Sequence, residues 1–367
     1  MDNTQSQVLV VGGTIAGMTA AIAAAESGAH VTIVSSIPLI RSSDVTLGDG
    51  IAAVLQPEAY NDSVEQHVRD IVSAGCDEQR ARQLCERAPV FVRFLARAGV
   101  LFNRTTEGHL EQTQTAGHTK PRTVRVDDVT GQHVVRVLEE QVRRCEAKGM
   151  VERKEYFVPL SFVFDEENSC RGLVVMERAN HACTALKADA IIMTIDGYTG
   201  LYGEARNTPC GLVIDNDHMT TLQGLFAAGG CACGMQALSG NIIAAYLVGG
   251  ADAGESACSY VADLATHADE LGASLFERVC DREEKYHKEL LDRTEGENPY
   301  VLADELNTVM EKWTSGERDV EVLENLVARV EKMQLPDSSQ WWNDSLVFAR
   351  DLENQITLAR MVVRDGL

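Results

Sequence analysis

Residues 8–36 read VLVVGGTIAGMTAAIAAAESGAHVTIVSS, and this stretch decides the fold. The pattern predicts a buried strand (Val8–Val11), a glycine turn, a small-residue helix (Met18–Ser27) and a second strand (Val31–Ser35). That is the βαβ opening of a dinucleotide-binding domain. Gly12 permits the tight turn, and Gly17 lets the helix pack close to the strand. The helix N-terminus then offers amides and a positive dipole end to a pyrophosphate. The expected contacts are Gly12, Gly13, Thr14, Ala16, Gly17, Ser35 and Ser36. Two positions depart from the ideal pattern. Thr14 stands where a second glycine normally admits the phosphates, though its hydroxyl could donate to one. Ser35 stands where an acidic residue would grip the ribose.

The 367 residues suggest two domains or one large one, and 45% apolar content is ample for a core. With 33 basic against 55 acidic residues, the net charge of −22 argues against nucleic acid or an anionic membrane as partner. Absence of a basic, apolar leader pattern and of any run of spanning length predicts a cytoplasmic protein without direct membrane insertion. Ten cysteines lack a CxxC pair, and Cys231 and Cys233 are too close for the usual zinc or cluster spacing, so no metal site is expected. Most of these thiols should be reduced and buried.

Further along, residues 37–55 are a loop with Gly48 and Gly50, and residues 62–100 are helical with stops at Gly75 and Gly99. Residues 104–131 form a polar loop, followed by a helix from His133, two strand-like runs (VERKEYFVPLSFVFDEENS and CRGLVVMERA) and a short buried strand over Ala188–Thr194. A second informative stretch is LQGLFAAGGCACGMQALSGNIIAAYLVGGADAGESA, residues 222–257. It predicts a strand ending on glycines, Gly229 among them, and a second alanine-rich helix opened by Gly240 and Asn241. In two-dinucleotide-binding-domain flavoproteins such a second turn approaches the flavin, where a helix N-terminus stabilises negative charge on the ring. From about residue 263 four amphipathic helices follow, with Asn298–Pro299 and Asp337 as entry signals and Gly316 as a break. Leu302, Leu306, Val309, Met310 and Trp313 make one apolar stripe. Trp341 and Trp342 read either as an interface anchor or as core packing of one ring.

Taken in order, RSSDVTLGDGIAAVL (41–55), GHTKPRTVRVDDVTG (117–131), IIMTIDGYTGLYG (191–203), GLVIDNDHMTTLQGLFAAGG (211–230), the SGN helix start and the closing DLEN resemble one family. It is that of the succinate dehydrogenase and fumarate reductase flavoprotein subunits, with L-aspartate oxidase as a cousin. The resemblance implies an α/β fold: an FAD-binding Rossmann-like domain (1–262) and a C-terminal helical bundle (263–367). It also implies the loss of the capping domain, because only a few residues separate Tyr202–Gly203 from Pro209–Cys210, where the family inserts it. The cap supplies much of the dicarboxylate site, and Ala237 stands where the family carries a substrate-side arginine. Ser43 occupies the position of the flavin-linked histidine, so any FAD is expected to be noncovalent. Gly197 falls within the family's second phosphate-side motif, beside an unfavourable Asp196, and Gly230 replaces a glutamate.

Three functions are compatible with this pattern. The first is an electron-transfer subunit holding noncovalent FAD, its isoalloxazine near Gly48, Gly50 and the Gly240–Asn241 helix start, and docking on an iron–sulfur or other redox subunit of a heteromeric complex. The second is a structural pseudo-subunit with a vestigial flavin site. The third is a small-molecule oxidoreductase resembling L-aspartate oxidase, with His118 and Arg122 as catalytic candidates. For His118 a surface position in a polar loop is the plainer expectation.

Overall fold

A computed structural model describes residues 7–195, 211–232 and 241–365. The chain begins β1 (Val8–Val11), α1 (Ile15–Glu26), β2 (Val31–Ser35), as the glycine-rich stretch predicts. The helix starts three residues earlier than expected, because the Thr14 hydroxyl accepts from Gly17 N–H and caps it at that point. β3 (Ile51–Ala52), α2 (Pro57–Tyr60), α3 (Val64–Ser73) and α4 (Glu78–Ala98) follow. Ser63 and Asp77 cap α3 and α4, and Gly99, at φ 116°, ends α4 in the left-handed conformation. Next come β4 (Thr123–Val124), α5 (Thr130–Ala147), β5 (Val151–Glu155), β6 (Phe157–Phe164), β7 (Cys170–Glu177) and β8 (Cys183–Lys187). β9 (Ala190–Met193), β10 (Leu225–Ala227) and α6 (Ile242–Ala262) complete the nucleotide-type half. The four expected helices are α7 (Ala273–Leu291), α8 (Pro299–Ser315), α9 (Val320–Val330) and α10 (Asp344–Asp365).

The main sheet has the order β10-β9-β1-β2-β5 and every pairing is parallel. The chain leaves β1 toward β2 and β5 on one side and returns to β9 and β10 on the other. The reversal therefore lies beside β1, and its C-terminal end opens onto a crevice at Gly12. Alternation within the strands sets the layers. Val8, Val10, Ile33, Ile192 and Phe226 face α1, α5 and α6, while Leu9, Val11, Ile191, Met193 and Leu225 face a second sheet. That sheet is antiparallel, with the order β6-β7-β8. Its residues Leu173 and Val175 meet the parallel sheet, and Val174 and Met176 meet the C-terminal helices.

The stripe on α8 is buried as expected, with Leu302, Leu306, Met310 and Trp313 inside and Val309 at its margin. Burying each such side chain contributes roughly 1.5–3 kcal/mol. Asn298 caps α8 and Gly316 ends it. Asp337, however, opens no helix. Its carboxylate accepts from Ser339 N–H in a turn, and α10 begins at Asp344. Neither tryptophan is core: Trp341 is 67% exposed and Trp342 54%, the latter edge-on to Tyr156.

Helices α1 and α6 pack backbone against backbone. A Cβ on Gly250 would lie 2.3 Å from the Ala16 carbonyl oxygen, and one on Gly254 would lie 2.4 Å from that of Ala20. Glycines one turn apart thus let two backbones touch, which seats α1 firmly under the crevice. Gly254→Val is expected to cost about 2–3 kcal/mol in urea unfolding through overpacking. Gly272→Ala, with no heavy atom nearer than 3.9 Å to its new Cβ, should stay within about 0.5 kcal/mol of the parent.

Candidate functional site

The crevice is built from the end of β1 upward. Gly12 has φ 121°, and a Cβ there would meet Thr194 Oγ1 at 2.7 Å, so only glycine serves. Gly17 sits even closer, its imagined Cβ 2.1 Å from the Gly12 carbonyl oxygen. Beside this turn opens a cavity of about 180 Å³ lined by Val11–Thr14, Val34–Ile37, Ser42, Ser43, Pro159 and Ile195. Apolar walls with a few serine hydroxyls are the make-up of a small-ligand site. The amides of Gly13, Thr14 and Ala16 have no hydrogen-bond partner among the described residues.

Two groups at the turn differ from expectation. Thr14 does not keep its hydroxyl proton for a phosphate, because Thr14 Oγ1 donates to the Thr194 carbonyl at 3.0 Å. Asp44, unremarked in the sequence, sends its carboxylate to α1: Oδ2 accepts from Ile15 N–H at 2.5 Å. The first turn of α1 holds no acidic residue of its own, so Asp44 answers its positive end from 29 positions away.

A second cluster lies at the start of α6. Arg122 is fully buried. Its Nε and Nη2 donate to Asp62 at 2.9 and 2.7 Å, and its Nη1 donates to Asp70 at 2.6 Å. Nη1 also faces His118 Nδ1 at 3.2 Å, which makes that nitrogen the acceptor and leaves the His118 proton on Nε2. Nε2 lies 3.4 Å from the side-chain amide of Asn241, whose other end lies 3.2 Å from His67 Nε2. These roles agree when the Asn241 oxygen accepts from His118 and its nitrogen donates to His67. The His67 proton then sits on Nδ1, a buried atom with no partner among the described residues.

The expectation of a surface histidine is thus overturned. His118 is 5% exposed, drawn inward by Arg122. Burial, then the Arg122 charge, pushes His67 down to about 3. Burial alone would raise Asp70, but the Thr119 amide and Arg122 outweigh it and bring the carboxyl down to about 2.

The FAD binding domain profile matches residues 7–209, more than half of the chain. The chain belongs to this FAD-binding family. FAD is accordingly its cofactor, and the glycine turn with its adjoining cavity fits the nucleotide. The flavoprotein's residues 305–367 match the fumarate reductase flavoprotein C-terminal region. It is 24% identical to the succinate dehydrogenase flavoprotein subunit of Bacillus subtilis, covering 98% of this chain and 88% of the relative. That alignment runs over 517 positions against 367 residues here, so roughly 150 or more positions lack a counterpart, consistent with a missing capping domain. Identity is 31% to the L-aspartate oxidase of Streptomyces coelicolor, over 55% of this chain and 35% of the relative. The chain thus spans about a third of that relative. Its fold is similar to a solved Escherichia coli quinol fumarate reductase chain (TM-score 0.86, 19% identity, 99% of this chain and 89% of that one). It is similar as well to the Mycobacterium smegmatis Sdh1 complex (TM-score 0.89, 18% identity, 98% and 86%).

Of the expected cofactor contacts, Gly12, Gly13, Thr14, Ser35, Ser36 and Ser43 of the flavoprotein line the cavity. Ala16 and Gly17 continue along α1, and Gly229 packs on Ala16. Gly48 and Gly50 lie elsewhere, against the backbones of Asp128 and Val124, while Asn241 joins the histidine cluster. Gly197, Gly240, Asp196 and Ala237 lie outside the described residues. Sequence reasoning missed Asp62, His67 and Asp70; a signal was present, since His67 and Asp70 share the face of α3 that carries buried Val68 and Ile71.

The cluster makes a pH prediction. A folded pKa near 3 for His67, against 6.5 in the unfolded chain, means that the unfolded state binds the proton first. Stability should therefore fall as pH drops below 6.5, with Asp70 adding its loss only between about 4 and 2. His67→Gln should remove about 2 kcal/mol of the stability lost between pH 7 and pH 5, read from urea unfolding at both values.

Proposed function

We propose that the chain is a noncovalent FAD-binding electron-transfer subunit of a redox complex, related to the succinate dehydrogenase and fumarate reductase flavoproteins but without a dicarboxylate site. The observation that carries this is the state of Arg122. A guanidinium that recognises a substrate carboxylate needs its fork open to the ligand. Here all three nitrogens are engaged by Asp62, Asp70 and His118 inside the protein. Arg122 and His118 are thus structural in this reading, and the alternative of an oxidoreductase resembling L-aspartate oxidase loses its catalytic pair.

Residues 1–262 carry the cofactor, held by the turn at Gly12–Gly17, and residues 263–367 support them from the far side of the antiparallel sheet. Ser43 lines the cavity with a hydroxyl, which forms no stable link to a flavin ring. Electrons pass to an iron–sulfur or other redox subunit, and the similarity to named complex subunits supports that partner class. The eight described cysteines form no disulfide with one another, in keeping with work in the cytoplasm. Among the described residues no helix is long and apolar enough to cross a membrane.

The test is an absorbance spectrum after FAD reconstitution, acid precipitation, and assays with succinate and with fumarate. The expected outcome is a flavin band whose chromophore is released to the supernatant on precipitation, with neither dicarboxylate turned over. Flavin retained in the pellet, or turnover of either acid, would contradict it. Failure to bind FAD at all would favour the structural pseudo-subunit, a reading to which the carboxylate of Asp44 at α1 lends weight.

A further inference from the structure

We infer that Asp44 is a built-in competitor for the pyrophosphate of FAD and sets how weakly this chain holds its cofactor. The inference rests on the FAD-binding reading above and adds to it a residue that tunes affinity. Two observations meet at one place. The cavity at Gly12–Thr14 and Ser35–Ile37 is shaped at the end of α1, where helix amides receive an anion. Just behind that lining, next to Ser43 and Thr14, the helix end already holds a carboxylate of the protein's own, with Asp44 Oδ2 on Ile15 N–H at 2.5 Å and the residue only 4% exposed.

Asp44 is not a side chain free to swing on a slack loop. It lies in the 3-10 turn Ser43–Thr46, where the Asp44 amide donates to Ser42 Oγ and the Asp44 carbonyl accepts from Leu47 N–H. The start of α5 presses on that turn: Gly131 N–H donates to the Leu47 carbonyl at 2.7 Å. A Cβ on Gly131 would come within 2.1 Å of the Asp44 carbonyl oxygen. With its backbone clamped from two sides, the carboxylate stays at the helix end.

A diphosphate entering the cradle meets a like charge, and it finds the Ile15 amide of the helix end already bonded, with only those of Gly13, Thr14 and Ala16 left without a partner among the described residues. Both effects oppose binding of the phosphates, and neither touches the adenosine end. Wild-type protein should therefore gain little from phosphate: ADP should bind no more than about threefold tighter than adenosine. In Asp44→Asn the carboxamide oxygen can still accept from Ile15 N–H while the charge is gone. FAD and ADP should each bind at least tenfold tighter to it than to the parent, about 1.4 kcal/mol, with adenosine unchanged.

The experiment is calorimetric titration of the full chain with adenosine, ADP and FAD, for wild type, Asp44→Asn and Asp44→Ser. Melting of the unliganded proteins within about 5 °C of one another checks the fold. The serine variant, which also lacks the charge, serves if the asparagine variant fails to fold. The wild-type comparison of ADP with adenosine needs no variant at all. A tenfold gain for the phosphate-bearing ligands alone supports the inference. Equal FAD affinity in wild type and the variants overturns it and leaves FAD binding intact. A wild type that prefers ADP to adenosine by tenfold or more also overturns it. Absence of FAD binding in every form overturns both readings together.

Discussion

The structure depends on how closely backbone can approach backbone at the base of α1. Gly12 lies against Thr194, Gly17 against the Gly12 carbonyl, and Gly250 of α6 against Ala16, each at a separation that a Cβ would violate. These contacts fix one helix N-terminus at the C-terminal end of a parallel sheet, beside the point where the strand order reverses. The cavity opens beside that fixed positive end and a buried carboxylate meets it, and in the proposed reading this is where the FAD is held.

Charge is then handled in two different ways. At α1 the buried carboxylate of Asp44 meets a helix dipole through a short hydrogen bond to Ile15 N–H. At α6 one arginine is held between two carboxylates, with two neutral histidines and an asparagine completing the chain of bonds. Removing one member of such a buried set leaves the others uncompensated, which is costlier than never having built it. The second cluster ties α3, the loop after Gly117 and the start of α6 into one unit. Those segments are far apart in sequence, and the cluster bonds them to one another.

How much of this could be read from the residues depends on range. The β1–α1–β2 unit was legible because glycine spacing and apolar runs are local, and the C-terminal helices because their stripes and caps are local too. β8 was missed because CTALK is a half-exposed strand without a strong alternation. Asp337 misled because an aspartate in a turn and an aspartate at a helix cap look alike one-dimensionally. Asp44 and the pairing of Arg122 with Asp62 were illegible for a deeper reason. A polar residue between polar neighbours reads as solvated, and only tertiary packing decides whether its charge is turned inward.

The most direct measurement is the ¹⁵N–¹H spectrum of the full chain, labelled at isoleucine, glycine and alanine, during titration with FAD. The account predicts a strongly downfield Ile15 amide in the unliganded protein, from its short bond to Asp44, and movement of the Ile15, Gly13 and Ala16 signals as FAD is added. Saturable FAD binding that leaves all three signals in place would contradict it, since the nucleotide would then lie somewhere other than the end of α1.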